Sequence, residues 1–558
     1  MRQEQINRDA RRQARQQALP PLSLASATVS YNTQGHLLIA GAEDQIRLAA
    51  AQLKGMASIT LYVTQAVQNS DEVQLQNALA AVPDMPLFRM PLHSVKGFMG
   101  QFEVQVAING QYASLSQLAQ HRTRFDLILD LSERPLFHSE LAPAGYFHCH
   151  GDPDQLAQLL QQLPDYIGQF EKPRYFRINN DICAHSGRGQ TGCTRCLDVC
   201  PADAISSIRQ LINIDPHLCH GAGGCSTACP TGAISYALPQ PSRIIDQIRD
   251  LLQAYYDADG SDAVIVLHDR EAGRQLLESQ FEQLPGNLLP VELEELAAAG
   301  QEIWLAALAM GASQVLLLDT PQQPASMRAL LQREICITRA MLEGLNLAGI
   351  RLSLIDSTDL SLWQPPESAA RFHSLALNPA AAKRDTLLSA LDQLAAQTAT
   401  QTKQSRDVLA LPAGAPFGQV SIDRSRCTLC VSCVAVCPTQ ALTDGGETPA
   451  LFFTERNCVQ CGLCDAACPE DAIELQARLR LDPLRDQPLQ LHQEPAFECL
   501  SCSKPFAPRS TVEKMLDKLA GHPMFQGEAL NRLKMCEDCR VQDIYQDLTA
   551  HPEKQLEI

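Results

Sequence analysis

Cys427-Thr-Leu-Cys430-Val-Ser-Cys433-Val-Ala-Val-Cys437-Pro438 is followed by Cys458-Val-Gln-Cys461-Gly-Leu-Cys464-Asp-Ala-Ala-Cys468-Pro469. Both stretches space their cysteines C-x2-C-x2-C-x3-C-P, and upstream the unit recurs in edited form. There Cys183, Cys193, Cys196 and Cys200 make a first run, and Cys219, Cys225 and Cys229 a second. The residues trailing each run are alike: Cys200-Pro-Ala-Asp-Ala-Ile, Cys229-Pro-Thr-Gly-Ala-Ile, Cys437-Pro-Thr-Gln-Ala-Leu and Cys468-Pro-Glu-Asp-Ala-Ile. Cys499, Cys502, Cys536, Cys539, Cys149 and Cys336 complete the 21 cysteines.

Three closely spaced thiolates wrap one corner of an iron–sulfur cubane. The fourth, displaced and turned away by its proline, reaches the neighbouring cluster. This geometry assigns Cys427, Cys430, Cys433 and Cys468 to one [4Fe-4S] cluster, and Cys458, Cys461, Cys464 and Cys437 to a second. A zinc ion takes four thiolates but does not explain two interlocked quartets. In the upstream unit the loop Ala184 to Gly192 stretches the opening spacing, yet Cys183, Cys193, Cys196 and Cys229 can still close a third [4Fe-4S] cluster. Ala222 stands where the next run expects a cysteine, leaving Cys219, Cys225 and Cys200. Three outcomes are open at that fourth site: a [3Fe-4S] cluster, a [4Fe-4S] cluster whose last iron takes water, His217 or His220, or no cluster. The stretched loop contains Gly187-Arg188-Gly189-Gln190-Thr191-Gly192, formally G-x-G-x-x-G. That fingerprint has mechanical content only between a strand and a helix, so these glycines read as loop flexibility.

Two further pairs, Cys499-Leu-Ser-Cys502 and Cys536-Glu-Asp-Cys539, lack the triplet and the proline. They read as two knuckles closing on one tetrahedral Zn2+, with a fifth iron–sulfur cluster or two free reducible pairs as alternatives. Between them Ser510-Thr-Val-Glu513 reads as a capping box opening a helix through Leu519, and Glu528 to Met535 as another helix. Cys336, in a helical pattern from Met327 to Leu345, reads as a buried small hydrophobe. Cys149, in His148-Cys149-His150, reads as structural, because successive residues of an extended chain point to opposite sides.

The remaining sequence supplies the frame. A chain of 558 residues divides into several domains, and a formal charge of −18 argues against nucleic-acid binding, which needs a basic footprint. No stretch has the uninterrupted apolar length of a membrane span. The arginine-rich start, Met1 to Leu19, lacks the apolar core of an export signal, so a cytoplasmic location is expected, where thiols serve metals rather than disulfides. Alternating apolar runs and helices from Asp262 onward, with strands at Ala263 to Leu267, Leu288 to Val291, Val315 to Leu318 and Ile350 to Ile355, indicate a parallel sheet, and a helix is expected from about Glu292. Strands near His36 to Ile39, Ile59 to Val63, Phe102 to Ile108 and Phe125 to Leu131 indicate another α/β segment. Neither segment carries a Walker loop, a G-x-S-x-G elbow or an H-E-x-x-H helix.

The expected fold class is multidomain α/β, with two ferredoxin-type α+β modules and a small C-terminal helical zinc-knuckle module. The boundaries are a polar helix at 1–20, α/β at 21–172, module one at 173–240, α/β at 241–396, a flexible linker at 397–416, module two at 417–480 and the C-x2-C metal module at 481–558.

Both cysteine units resemble bacterial two-cluster ferredoxins, over about 176–238 and 418–478, and the whole chain resembles a cytoplasmic polyferredoxin. Pro290-Val-Glu-Leu-Glu-Glu-Leu and Gly300-Gln-Glu-Ile-Trp304-Leu-Ala-Ala-Leu are weakly similar to the delta subunit of methyl-viologen-reducing hydrogenase, an electron-transfer protein of heterodisulfide reductase complexes. That subunit carries a cysteine-bound cluster of its own, whereas this segment has Cys336 alone. The resemblance implies an electron carrier passing single electrons between redox partner proteins through about four clusters, with a formate dehydrogenase or hydrogenase-type complex as partner. Two other readings stay open. One is a subunit of an oxidoreductase complex with an open three-thiolate cluster, and the other an iron–sulfur regulatory scaffold. No catalytic residue is assigned.

Overall fold

The computed structural model describes residues 2–18, 27–65, 76, 80, 85–187, 189–360, 363, 382–402, 407–446 and 448–551. The chain is mixed α/β. Its first parallel sheet contains β1 (His36–Ala42), β2 (Ser58–Gln65), β3 (Leu87–Phe88), β4 (Leu127–Asp130) and β5 (Tyr146–His148), in the order β3-β2-β1-β4-β5. Leu37, Leu38, Ile39 and Ala40 are fully buried, the continuous apolar run of a strand covered on both faces. The strand expected at Phe102 to Ile108 lies elsewhere: Glu103–Ile108 is the middle strand of a separate antiparallel sheet with Leu92–Lys96 and Gln111–Ser114. Val104 and Val106 pack beneath it against Leu38 and Ile128, which makes it a lid on the first sheet.

The second parallel sheet, β6 (Val264–Asp269), β7 (Leu288–Leu293), β8 (Gln314–Asp319) and β9 (Leu352–Asp356), has the order β7-β6-β8-β9. Around it lie α1 (Arg2–Gln17), α2 (Pro241–Asp257), α3 (Gln301–Ala309), α4 (Ala325–Gly344) and α5 (Lys383–Thr402). The helix expected from Glu292 begins only at Gln301, because Glu292 and Leu293 pair with His268 and Asp269 and prolong β7. Every residue of α3 is buried, as its sequence Gln-Glu-Ile-Trp-Leu-Ala-Ala-Leu-Ala foretells, and it contacts α2 and α5. The N-terminal helix is not wholly solvated: Ala10, Arg11 and Ala14 are buried, and the Arg11 guanidinium donates to the carbonyls of Pro285 and Phe281, both at 2.9 Å.

One buried cluster runs from this sheet into both cysteine units, taking in Val199 and Ala228 of the first and Leu409, Phe417 and Leu479 of the second. The stretch 397–416, read from its polar composition as a flexible linker, is ordered over its described residues. Helix α5 continues to Thr402, with Thr398 buried and its hydroxyl donating to the Leu394 carbonyl at 3.0 Å, and Val408–Ala410 pairs with Arg478–Arg480. Leu409 packs over Gly344, where a Cβ would come within 2.7 Å of its methyl carbons. Residues 403–406 lie outside the described set.

The two cysteine units share a plan. An outer antiparallel pair, Phe176–Ile178 with Ile234–Tyr236, or β10 (Gly418–Ile422) with β11 (Ile473–Arg480), encloses a hairpin, Ile205–Ile208 with Leu211–Ile214, or Leu442–Asp444 with Ala450–Phe453. The C-terminal segment is a hairpin, Ala496–Glu498 with Pro505–Pro508, followed by α6 (Arg509–Leu519), a turn of helix at Glu528–Arg532 and α7 (Glu537–Ala550). The expected capping box is not formed. Helix α6 starts before Ser510, after Pro508, and the Ser510 hydroxyl donates instead to Glu494 at 2.7 Å. Cys336, expected in the core, lies on the exposed face of α4, because its neighbours Ile335 and Ile337 take the buried positions.

Candidate metal centres

Two cavities in the second unit are lined by complete quartets. Cys427, Cys430, Cys433 and Cys468 line one together with Ile422, Leu429 and Leu451. Cys437, Cys458, Cys461 and Cys464 line the other with Val420, Leu442 and Leu475. The displaced fourth cysteine of each run thus sits among the triplet of the other.

In the first unit the sulfurs group in the same crossed manner. Cys183, Cys193 and Cys229 are the charge neighbours of Cys196. Cys219 and Cys200 are those of Cys225, with Cys196 and Cys229 next to them. Burial first, then these neighbouring sulfurs, push the Cys196 thiol up to about 12, and the same two causes hold Cys433 at about 12. Cys461 is raised by burial to about 11, and Cys225 goes well above the ordinary thiol value. Without a cation beside them such thiols stay protonated, and metal binding would have to displace those protons.

The backbone explains how sulfurs this crowded are held. The third residue after each C-P cysteine is left-handed in all four runs: Asp203 at φ 49°, Gly232 at 76°, Gln440 at 53° and Asp471 at 44°. That kink turns the next N–H back on the sulfur, with Ala204, Ala441 and Ala472 each 3.3 Å from Cys200, Cys437 and Cys468. At Cys229 the donor is Ile234, at 3.5 Å, because the Ala233 N–H bonds to the Thr231 hydroxyl. Within the C-x2-C turns, Leu429 and Val431 flank Cys430 at φ 53° and 55°, and Gln460 and Gly462 flank Cys461 at 53° and 81°. Gly221 and Gly223 flank Ala222 in the same way, at 83° and 78°. The loop that lacks its cysteine therefore keeps the backbone of a ligand loop.

Around that three-thiol group, whose cysteines are all half-buried, one edge is closed. A Cβ on Gly223 would lie 2.5 Å from Ala298 Cα, and one on Gly224 would lie 2.5 Å from Met327 Sδ, so this edge is packed against the second parallel sheet's helices. His217 is engaged elsewhere, stacked on Phe98 with ring centroids 4.3 Å apart. His220 is neutral, its pKa lowered by burial, and its Nε2 is buried without a hydrogen-bond partner among the described residues.

At the C-terminus the sulfurs of Cys499, Cys502, Cys536 and Cys539 all lie within 4.8 Å of one another, with Cys502 and Cys536 at 3.8 Å. Tetrahedral Zn–S bonds of about 2.3 Å set sulfurs about 3.8 Å apart, whereas a cubane interposes its own iron–sulfur cage and spreads them. Burial pushes the Cys499 thiol up, but N–H donors from Cys536, Cys502 and Ser501 outweigh it and bring it to about 6. Cys149 is buried with its thiol on the Asp152 carbonyl, while His148 and His150 face the Ser132 and Leu131 carbonyls, so these three residues do not converge on one point. The inserted loop is a two-rung hairpin, Ser186–Gly187 with Gln190–Thr191, flanked by Cys183 and Cys193; Arg188 lies outside the described residues.

Sequence reading missed the half-buried cations beside the cysteines. Lys172 Nζ donates to the carbonyls of His217 (2.7 Å) and Cys219 (2.8 Å), and Lys383 and Arg384 make similar contacts at Cys229 and Cys458. The only sequence signal was the adjacency of Lys383 and Arg384 at the foot of an apolar helical run.

Residues 426–473 match the family described as the 4Fe-4S dicluster domain, a segment that contains both cavity-lining quartets of the second unit. No curated protein matches the chain. The match, the apolar thiol-lined cavities and the inward N–H donors support a ferredoxin-like iron–sulfur protein that holds [4Fe-4S] clusters and has an electron-transfer role.

Proposed function

We propose that the chain is a polyferredoxin that relays single electrons between redox partner proteins through four iron–sulfur sites. The observation that carries this reading is the contact between the two units. Cys193 is a charge neighbour of Cys461, and Gly192 is so close to Leu463 that a Cβ there would lie 2.6 Å from Leu463 Cγ. The Arg195 guanidinium also donates to the Gly414 carbonyl. The groups then follow in one line: Cys200/Cys219/Cys225, Cys183/Cys193/Cys196/Cys229, Cys437/Cys458/Cys461/Cys464, and Cys427/Cys430/Cys433/Cys468. Neighbours along it are linked by the pairs Cys225 and Cys196, Cys193 and Cys461, and Cys433 and Cys464.

Iron–sulfur clusters bound at these thiolates supply one-electron redox chemistry. The chain's own residues exclude water, aim N–H donors at the sulfurs and fix the separations. The three-thiolate group takes a [3Fe-4S] cluster in this reading, with a [4Fe-4S] cluster ligated by His220 as the alternative. The closed packing at Gly223 and Gly224 favours a relay over an open iron offered to substrate. The C-terminal tetrad takes zinc. The partner in this reading is a hydrogenase-type complex, on the weak similarity of the middle segment, or a formate dehydrogenase complex, on the general make-up of the chain, in the cytoplasm. Among the described residues no helix is long and apolar enough to cross a membrane.

EPR of the anaerobically purified full chain tests this. An oxidised [3Fe-4S] centre is paramagnetic and an oxidised [4Fe-4S] centre is silent, so the reading expects one oxidised signal that Ala222→Cys abolishes. Iron and labile sulfide sufficient only for the second unit would overturn the four-site relay.

A further inference from the structure

Lys383 and Arg384 are consecutive residues at the start of α5, and their side chains leave the helix for different ligand loops. Lys383 Nζ donates to the carbonyls of Ser226 (2.6 Å), Thr227 (2.8 Å) and Cys229 (3.1 Å). These are carbonyls at the end of the helical turn Gly224–Ala228, which the turn itself leaves without donors. The Arg384 guanidinium donates to the carbonyls of Arg456 (2.7 Å), Cys458 (2.7 Å) and Pro416 (3.1 Å), and lies over the Phe417 ring. Cys229 belongs to the inner quartet of the first unit and Cys458 to the inner quartet of the second. The dipeptide therefore clamps one backbone loop of each at the place where the units meet.

The two cations are not equivalent. Lys383 has the buried Glu302 carboxylate 3.8 Å away, so its charge is largely compensated. Among the described residues, the Arg384 guanidinium is hydrogen-bonded only to neutral carbonyls. Its neighbour Asp385 pairs with Arg456, and Asp392 pairs with Arg485. A positive charge that no carboxylate contacts directly stabilises whichever state of its neighbour carries the extra electron.

Resting on the relay reading, we infer that Lys383 and Arg384 form an electrostatic bridge between the two inner clusters, in which Lys383 fixes the spacing and Arg384 raises the reduction potential at Cys437/Cys458/Cys461/Cys464. Arg384 is a positioning residue in this scheme and touches the site through the Cys458 backbone. The bridge makes the second inner site the preferred resting place of an electron that has crossed between units.

Potentiometric EPR titration of the anaerobically loaded full chain tests the bridge, with Arg384→Gln, Arg384→Lys and Lys383→Gln compared to the unaltered chain. Arg384→Gln is expected to move one cluster to a more negative potential, so that at the original midpoint its oxidised-to-reduced ratio rises about tenfold. Arg384→Lys, which keeps the charge with fewer hydrogen bonds, is expected to stay close to the original midpoint. Lys383→Gln is expected to move its neighbouring cluster less. Equal shifts in Arg384→Gln and Arg384→Lys, or no shift in either, would overturn the bridge while leaving the relay standing. If the unaltered chain binds no cluster in the first unit, the relay itself falls. Should Arg384→Gln fail to load, a midpoint displaced in the loaded Arg384→Lys chain decides against the bridge and an undisplaced one for it.

Discussion

At the scale of single residues, the centres are shaped by backbone that most side chains avoid. Val431 is β-branched, 39% exposed, and held at φ 55°, where non-glycine residues are strained by about 1–3 kcal/mol. Gly462 occupies the equivalent place in the next run without that cost. Val431→Gly is therefore expected to stabilise the loaded chain by about 1 kcal/mol, read as a higher thermal midpoint; a lower midpoint would show that Val431 contributes through packing instead. The raised thiols give a second expectation. A thiol whose folded pKa lies above its unfolded value stabilises the fold below the unfolded value, near 9, and loses that contribution as pH rises toward the folded one. With Cys196 and Cys433 near 12 and Cys461 near 11, the metal-free chain should weaken between about pH 9 and 12. The loaded chain, whose thiolates are already charged and compensated, should show a flatter profile; urea midpoints across that range of pH check it. Which cysteines gather was legible in the sequence, because spacing and proline position dictate it. Lys172, Lys383 and Arg384 were not, since a cation that binds carbonyls leaves no partner residue type to search for.

At the scale of elements, the inserted hairpin at Ser186–Thr191 has become a contact surface rather than slack. Gly192, just beyond it, fits between the Ala184 carbonyl, 2.8 Å from a would-be Cβ, and Leu463 of the other unit. Gly192→Ala is expected to cost about 1–3 kcal/mol, and Leu463→Ala in the same chain to recover part of that, leaving a coupling of at least about 0.5 kcal/mol in a double-mutant cycle. Strict additivity would remove the contact from the account. The parallel sheets were readable because Leu37–Ala40 and Val264–Leu267 are unbroken apolar runs. The region 397–416 was not, because glutamine, threonine and alanine serve equally in a linker and in the partly buried end of α5. The box at Ser510 failed for a local reason: the helix already begins at Arg509, and the Glu494 carboxylate accepts from both the Ser510 N–H and its hydroxyl, which draws that side chain away from the free N–H groups of the helix start.

At the scale of the molecule, the C-terminal segment braces the outermost quartet. The Thr511 hydroxyl donates to the Thr428 carbonyl, and Lys514 pairs with Glu470, both partners lining the cavity of Cys427, Cys430, Cys433 and Cys468. Removing metal from the Cys499/Cys502/Cys536/Cys539 tetrad with a chelator is expected to raise hydrogen exchange in α6 and α7 and, through that brace, at Thr428 to Val431. Exchange confined to the C-terminal helices would show the brace to be inert. A shared core separately joins the second unit to the second parallel sheet, since Leu409, Phe417 and Leu479 belong to the same buried cluster as Trp304.

The line of thiol groups has unlike ends. Cys225 is half-buried, with its loop packed at Gly223 and Gly224 on Ala298 and Met327, whereas Cys430 is exposed. Air therefore meets the Cys430 end first. Oxidative damage should enter at Cys430 and advance inward, so a briefly aerated sample should lose iron from the second unit while the three-thiolate site is still intact, a sequence of decay that native mass spectrometry can time.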